Sequence, residues 1–394
     1  MIRKSIKYIP ILVTLIINIT FPQSFTNFFF NGNGARAVGM GNAYTAVAED
    51  ATAISWNSAG LIAKKYAQAA VVGRFGKSST DIGGFQDFGI NSWDVSTDIY
   101  SQINYVGFTY PLNFRKIKTT VGIAYRRIYD FSRNEINTLK GPIFDNPSGT
   151  LETNNTSGGG VGAFALAGGF RLHKMFSVGT TLNLYTGNEN SYTTYTLNGE
   201  TLYDKSVSYK KNYSGFGMDI GLLFRPLKTL SIGANVVLPH SLEAEDDSLT
   251  KTLDIPTFYT LGIAYRPTKK LLFAFDYRPQ PIGDIKIDGD KTDDKNIYSL
   301  HFGLVYRISG GKKLYPLRFG YYMNSESNNA LNADKVYTMG VTFPFQNFSV
   351  DLGFEYAQTD YTLDDEINGT LYTGDYSSKD YRLTIGFAFD LVRR

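Results

Sequence analysis

The last stretch of the chain places Tyr381, Leu383, Ile385, Phe387, Phe389 and Leu391 on one side of an extended backbone. Arg382, Thr384, Gly386, Ala388 and Asp390 fall on the other. A side-chain period of two belongs to a β-strand, and it recurs upstream. Phe348, Val350, Leu352, Phe354 and Tyr356 oppose Ser349, Asp351, Gly353 and Glu355. Tyr298, Leu300, Phe302, Leu304, Tyr306 and Ile308 oppose Ser299, His301, Gly303, Val305 and Arg307. A soluble β-sandwich also alternates, but here the apolar face is bulky and aromatic, whereas the other face is small or polar with isolated charges. An apolar face turned outward to lipid is the better reading.

After residue 30 no apolar run approaches the roughly 18 residues that a membrane-spanning helix needs. A chain of this kind enters a bilayer only as a closed barrel, the other architecture that pairs every backbone group in lipid. Alternation marks strands near 68–75, 103–110, 118–128, 161–172, 175–186, 212–225, 229–238, 257–266, 270–278, 297–308, 313–323, 335–344, 347–357 and 380–391. The expected fold is therefore all-β, a transmembrane antiparallel barrel of about fourteen strands with a short N-terminal helical plug. Tyr265, Tyr277, Tyr298 and Tyr306 sit near strand ends, where interfacial aromatic girdles belong. Connections alternate too. Short turns such as His173-Lys174, Pro267-Thr268-Lys269 and Gln346 alternate with long segments at 76–102, 129–160, 187–211, 279–296 and 358–379. Short turns at one rim and long loops at the other are the outer-membrane pattern, with both termini periplasmic.

The N-terminus adds a compartment. Arg3, Lys4 and Lys7 precede an apolar stretch from Ile9 to Phe21, and a polar break follows at Gln23 and Ser24. This is expected to be a secretory signal peptide over residues 1–24. Its removal takes away three cations and no acid, so the formal charge of +3 falls to about zero and gives no support to nucleic-acid binding. With no Cys, disulfides, thiolate metal sites and a lipoprotein anchor are all excluded.

Residues 32–63 do not alternate, and residues 25–63 are expected to form the plug, leaving 64–394 for the barrel. Asp50 can N-cap a helix beginning at Ala51, and Asn57 another beginning at Ser58. The run Gly34-Ala35-Arg36-Ala37, Gly39-Met40-Gly41, Ala43 to Asp50 and Trp56-Asn57-Ser58-Ala59-Gly60-Leu61 closely resembles the N-terminal signature of the FadL/TodX-type hydrophobic-compound transporters. It also resembles the related PorV/PorQ barrels. The family usually has Pro where this chain has Ser58, a replaceable choice at a first helical position. The resemblance implies an N-terminal segment that blocks the barrel from the periplasmic side. Fatty acids or aromatic hydrocarbons would bind in the lumen and leave sideways into lipid. It puts Arg36, Gly39, Gly41, Asp50, Trp56, Asn57, Ser58 and Ala59 at the plug, with Asn57-Ser58-Ala59 as its functional turn. A static stopper that merely seals the barrel is the plainer alternative. Under the PorV/PorQ likeness, the protein is instead an accessory barrel of type IX protein secretion with secretion-machinery partners. A general diffusion porin is disfavoured by the plug, and a TonB-driven receptor by the plug's small size.

The polar face supplies the candidate lumen-lining residues Asp219, Asp276, His301, Arg307, Arg318, Asp351, Glu355 and Arg382. Neighbouring charges such as Glu355 or Asp351 with Arg382 would offset burial cost, or line a solute path. His301 beside a lumen carboxylate imitates part of a catalytic triad, but nothing marks a nucleophilic Ser, so no enzyme is expected. Asp288, Asp290, Asp293 and Asp294 crowd the loop at 284–294 without EF-hand spacing; they are either a solvated acidic loop or a Ca²⁺ site. His173, His240 and His301 form no metal cluster, and no cofactor is implied. The expected partners are outer-membrane lipid and a hydrophobic small molecule in the lumen of a monomer.

Overall fold

Lipid offers the backbone no hydrogen-bond partner, so strands of this kind must pair until no edge is left. In the computed structural model of the chain, fourteen antiparallel strands do so. The structure describes residues 32–391 apart from 84–91, 98, 115–116, 144–145, 199, 204–208, 247–248, 293–294, 312, 326–334 and 368–369. The signal peptide expected at 1–24, plug residues 25–31, and Asp293 and Asp294 lie outside the described residues.

The wall strands are β1 (Ala67–Ile82), β2 (Tyr100–Phe114), β3 (Ile117–Asp130), β4 (Asn146–Arg171), β5 (Phe176–Leu197), β6 (Tyr209–Leu227) and β7 (Leu230–Val237). They continue as β8 (Phe258–Tyr265), β9 (Leu271–Gln280), β10 (Ile297–Gly310), β11 (Lys313–Asn324), β12 (Lys335–Pro344), β13 (Phe348–Ile367) and β14 (Thr370–Leu391). Each pairs with its sequence neighbour, and β1 pairs with β14 from Ala67 opposite Leu391 to Ile82 opposite Tyr376, which closes the barrel.

The faces are assigned as alternation implied. Along β8, Tyr259, Leu261, Ile263 and Tyr265 are exposed while Phe258, Thr260, Gly262 and Ala264 are buried. Phe273, Phe302, Phe319, Phe354 and Phe387 all face outward as well. Such a continuous apolar surface is far larger than a soluble monomer tolerates, and only a non-aqueous surround makes it favourable.

The strands are longer than alternation indicated. β4 has 26 residues, β5 22, β13 20 and β14 22, against the roughly 9–11 that cross a bilayer. Much of the sequence expected as loops at 129–160, 187–211 and 358–379 is therefore paired backbone, for instance Glu152 opposite Thr196 and Asp360 opposite Ser377. Outside the bilayer both faces of a hairpin meet water, so the period-two signal fades while the hydrogen-bond ladder continues. Two further strands, Ser92–Thr97 and Arg133–Ile143, pair with each other and bridge β1 to β4 at this long-loop end.

Two apolar clusters fill the interior. Near the short turns, Tyr44, Ile54, Trp56 and Leu61 of the N-terminal segment pack on Val72, Tyr105 and Leu272 of the wall. Toward the long loops, a strand pair (His240–Asp246 with Thr250–Ile255) extends the wall from β6 and, with residues 281–287, buries Leu242, Ile255, Ile282 and Ile285 beside Phe258.

The exposed rings of Tyr298 and Tyr306 bracket Phe302 on β10, which puts Phe302 at mid-bilayer. Phe302→Arg is expected to destabilise the barrel in phospholipid vesicles by about 2–4 kcal/mol, measured by urea titration of the heat-modifiable band. An unchanged midpoint would contradict the membrane-facing assignment of that surface.

Candidate functional site

The N-terminal segment owes its shape to two side-chain caps. Asp50 accepts from the Thr52 backbone N–H (3.0 Å) and the Thr52 hydroxyl (2.5 Å), starting the helix Ala51–Ser55. Asn57 Oδ1 accepts from the Ala59 N–H (3.1 Å), starting Ser58–Ala63. Both helices are 3₁₀ rather than α; runs this short gain from the tighter turn. A single α-turn, α1 (Ala35–Val38), precedes them. Gly41 and Asn42 then reverse the chain at φ +60° and +61°, the left-handed region that suits Gly and Asn.

This segment touches the wall where the wall has no side chains. A methyl group placed on Gly353 would meet the Ala35 carbonyl oxygen at 2.6 Å, one on Gly303 the Met40 carbonyl at 2.7 Å, and one on Gly233 the Thr45 carbonyl at 2.6 Å. Gly169 meets the Ser58 carbonyl equally closely, and Gly320 and Gly179 face the Gly41 and Ala59 nitrogens more closely still. Glycines on six different strands thus let plug backbone lie directly on wall backbone.

Wall polar groups fasten what the glycines admit. Asp276 Oδ2 accepts from the backbone N–H groups of Tyr44 and Thr45 (both 3.0 Å) and from the Thr45 hydroxyl (2.7 Å). Arg36 Nε donates to Asp351 Oδ2 at 2.9 Å, while its other nitrogens reach Ser349 (2.9 Å) and Asp50 (3.3 Å). Burial pulls the Arg36 pKa down, but Asp351 and Asp50 outweigh it and raise it above its ordinary value. Burial likewise pushes Asp50 up, and Arg36 with the Thr52 and Tyr44 hydrogen bonds brings it below the usual carboxylate range. Asn42 donates to Glu355 (3.4 Å). His301 Nδ1 donates to the Gly41 carbonyl (2.7 Å), and its Nε2 accepts from Ser299 (2.9 Å). Asn57 Nδ2 bridges the Thr45 carbonyl (3.0 Å) and the Leu222 carbonyl of β6 (2.9 Å).

Of the lumen candidates, Asp276, His301, Asp351 and Glu355 therefore hold the N-terminal segment, and Arg318 donates to Thr342, which in turn bonds Asp351. Glu355 and Arg382 are the cross-strand neighbours that alternation implied, whereas Asp351 faces Gly386. The Arg382 guanidinium also meets Asp380 of its own strand at 3.4 Å. A flexible guanidinium reaches two residues along a strand as readily as across it. Arg307 donates to the Lys269 carbonyl at the short-turn rim, away from the other candidates. Asp288, in the acidic loop, accepts from the Thr252 N–H (2.8 Å), and among the described residues no cluster of three or more metal-ligating side chains occurs.

Asp219 belongs to a separate place, a chamber between the N-terminal segment and the cluster at the long-loop end. Trp56 forms its floor, with Nε1 donating to the Asn33 carbonyl (2.8 Å) and Tyr44 edge-on at 5.8 Å. Phe258 forms part of its roof. On the sides, Arg126 meets Asp219 at 2.9 Å and Tyr185 stacks on His240 at 5.0 Å. Arg278 sits 4.9 Å over the Trp56 ring and donates to the Asn42 carbonyl. Sequence reasoning passed over Arg126 and Arg278, although both lie on the polar face of their strands. It also missed Gln68, which links the Ala51 N–H (2.8 Å) to Asp390 (2.8 Å), and Tyr105, which donates to the Ala51 carbonyl (2.5 Å). Beside the chamber, the β3–β4 ladder runs from Lys118–Arg171 to Asp130–Gly160 with one bulge between Arg127 and Tyr129.

No family model matches the chain, and no curated protein matches it. Solved structures do. A Pseudomonas aeruginosa FadL homologue aligns with a TM-score of 0.63 at 10% identity, covering 92% of this chain and 99% of that one. The P. putida toluene transporter TodX gives 0.63 at 12% identity, over 93% and 100%. The Ralstonia pickettii toluene transporter TbuX gives 0.57 at 14%, over 92% and 99%. The fold is thus the plugged fourteen-stranded barrel of the FadL type.

Two substitutions test the docking. Gly320→Ala is expected to cost about 1–3 kcal/mol through overpacking and to expose residues 32–63 to protease. Asp276→Ala removes an acceptor of three plug bonds and strands Arg278, for an expected loss of about 3–5 kcal/mol. Asp284→Ala, whose partners Lys291 and Asn296 lie outside the plug, is the control; equal protection in all three proteins would contradict the docking described.

Proposed function

We propose that the protein is a passive outer-membrane transporter of hydrophobic small molecules. The single observation that carries this reading is the arrangement inside the barrel: a plug fixed to the wall below, an apolar cluster above, and an aromatic-lined chamber between them. No straight aqueous path suits such an interior, whereas an apolar solute gains by passing from the chamber into lipid through the wall. The bulge between β3 and β4, beside the chamber, is where an exit would be easiest, since a bulge locally disrupts the ladder. Both termini then face the periplasm, with the short turns, and the protein acts as a monomer. The residues Arg36, Gly39, Gly41, Asp50, Trp56, Asn57, Ser58 and Ala59 serve to hold and gate the plug. The similarity in fold to proteins named as toluene transporters supports the same class of cargo.

One observation favours the second reading, an accessory barrel in protein secretion. The β4–β5 and β13–β14 hairpins continue well beyond the bilayer and offer a protein-sized surface. The chamber, which secretion does not require, favours transport.

The test compares the protein with a variant lacking residues 30–60. The intact barrel is expected to accelerate uptake of labelled toluene or oleate by cells while passing little ion current in planar bilayers. The deletion is expected to conduct ions freely. Porin-like conductance in the intact protein, or uptake unchanged in a knockout with no hydrophobic ligand copurifying, would defeat the transporter reading.

A further inference from the structure

The chamber is not the plain apolar hole that a hydrocarbon needs. Arg126 and Asp219, both buried, meet through one N–H and one oxygen only, although a guanidinium and a carboxylate commonly join through two of each. That leaves Arg126 Nε and Asp219 Oδ1 buried without a protein partner. His240, stacked on Tyr185, adds a third such atom. Its Nδ1 donates to the Leu238 carbonyl at 2.9 Å, and burial holds the ring below its ordinary pKa, so Nε2 is a bare acceptor, also unpartnered. All three side chains line the same chamber, beside Trp56, Tyr185 and Phe258.

One buried donor and two buried acceptors, set among aromatic rings, define a ligand. A hydrocarbon leaves all three atoms unsatisfied, which is costly in a desolvated site. A carboxylate finds no net positive charge, because Asp219 offsets Arg126, and Arg278 is taken up by Asp276 (3.6 Å) and the Asn42 carbonyl. A hydroxyl both donates and accepts. It can take the Arg126 Nε proton bond and give its own to Asp219 Oδ1 or His240 Nε2, while its ring lies among the aromatics. We propose that the chamber selects small hydroxylated aromatic molecules, phenols in chemical class, over the matching hydrocarbons and carboxylates, with Arg126, Asp219 and His240 as the discriminating set. The inference rests on the transporter reading and narrows its cargo.

Titration calorimetry of the purified full-length protein with 4-methylphenol, 1,4-dimethylbenzene and 4-methylbenzoate tests it. The phenol is expected to bind at least about tenfold more tightly than either analogue, the scale set by leaving buried polar atoms unpaired. Asp219→Asn and His240→Phe are each expected to shrink that ratio severalfold. Equal binding of phenol and dimethylbenzene overturns the selectivity but leaves hydrophobic transport standing, as does tighter binding of the carboxylate. A ratio that survives both substitutions removes the assigned residues from the role. Binding of none of the three probes overturns this inference, while the uptake comparison with toluene and oleate decides the transporter reading separately. The wild-type ratio stands as a test by itself should a variant fail to fold.

Discussion

Everything inside this barrel depends on plug backbone lying against wall backbone. That contact is available only where the inward position of a strand carries a hydrogen instead of a side chain. Gly169, Gly179, Gly233, Gly303, Gly320 and Gly353 supply it on six strands. Each glycine weakens its strand by roughly 0.5–1 kcal/mol relative to alanine. The closed hydrogen-bond ladder tolerates that cost, and the close approach puts plug N–H and carbonyl groups within reach of wall side chains. Without it Asp276 could not take two backbone N–H groups and a hydroxyl at once, nor His301 reach the Gly41 carbonyl.

The charges inside the wall follow from this. A buried carboxylate is expensive unless it is paired and hydrogen-bonded. Asp276 is satisfied by plug backbone with Arg278 at hand, and Asp351 by Arg36, which Asp50 neutralises from the other side. These groups therefore read as fasteners rather than as the lining of a solute path. The polarity left over lies higher, in the chamber, where Arg126 and Asp219 satisfy each other only in part.

The fold was legible because the membrane writes it in a simple code. Lipid on one side and a filled lumen on the other force strict alternation, so all fourteen strands and their faces could be read from residue type. The code stops at the bilayer surface, which is why 146–160 and 358–367 passed for loop although β4 and β13 continue through them. In the plug, the caps at Asp50 and Asn57 were legible because capping is local. Partners were not. Asp351 pairs with Arg36, 315 residues away, rather than with Arg382 on the adjoining strand, and no periodicity encodes that choice. Arg126 and Arg278 were overlooked because a single arginine near a strand end looks like any interfacial charge.

The long reach of those partners bears on the order in which the molecule is assembled. The segment from Ala35 to Asn42 is among the earliest parts of the described chain, yet its seats, Gly303, Gly320, Asp351, Gly353 and Glu355, lie on β10, β11 and β13. The seam between β1 and β14 can close only when the final strand is present. The stretch from Ala35 to Asn42 therefore finds its seats only after β10, β11 and β13 are in place, whereas Thr45 and Ser58 seat on β7 and β4. Contacts of such sequence separation form slowly. A chain interrupted before β13 would keep the seats for Thr45 and Ser58 but leave Ala35 and Arg36 without theirs.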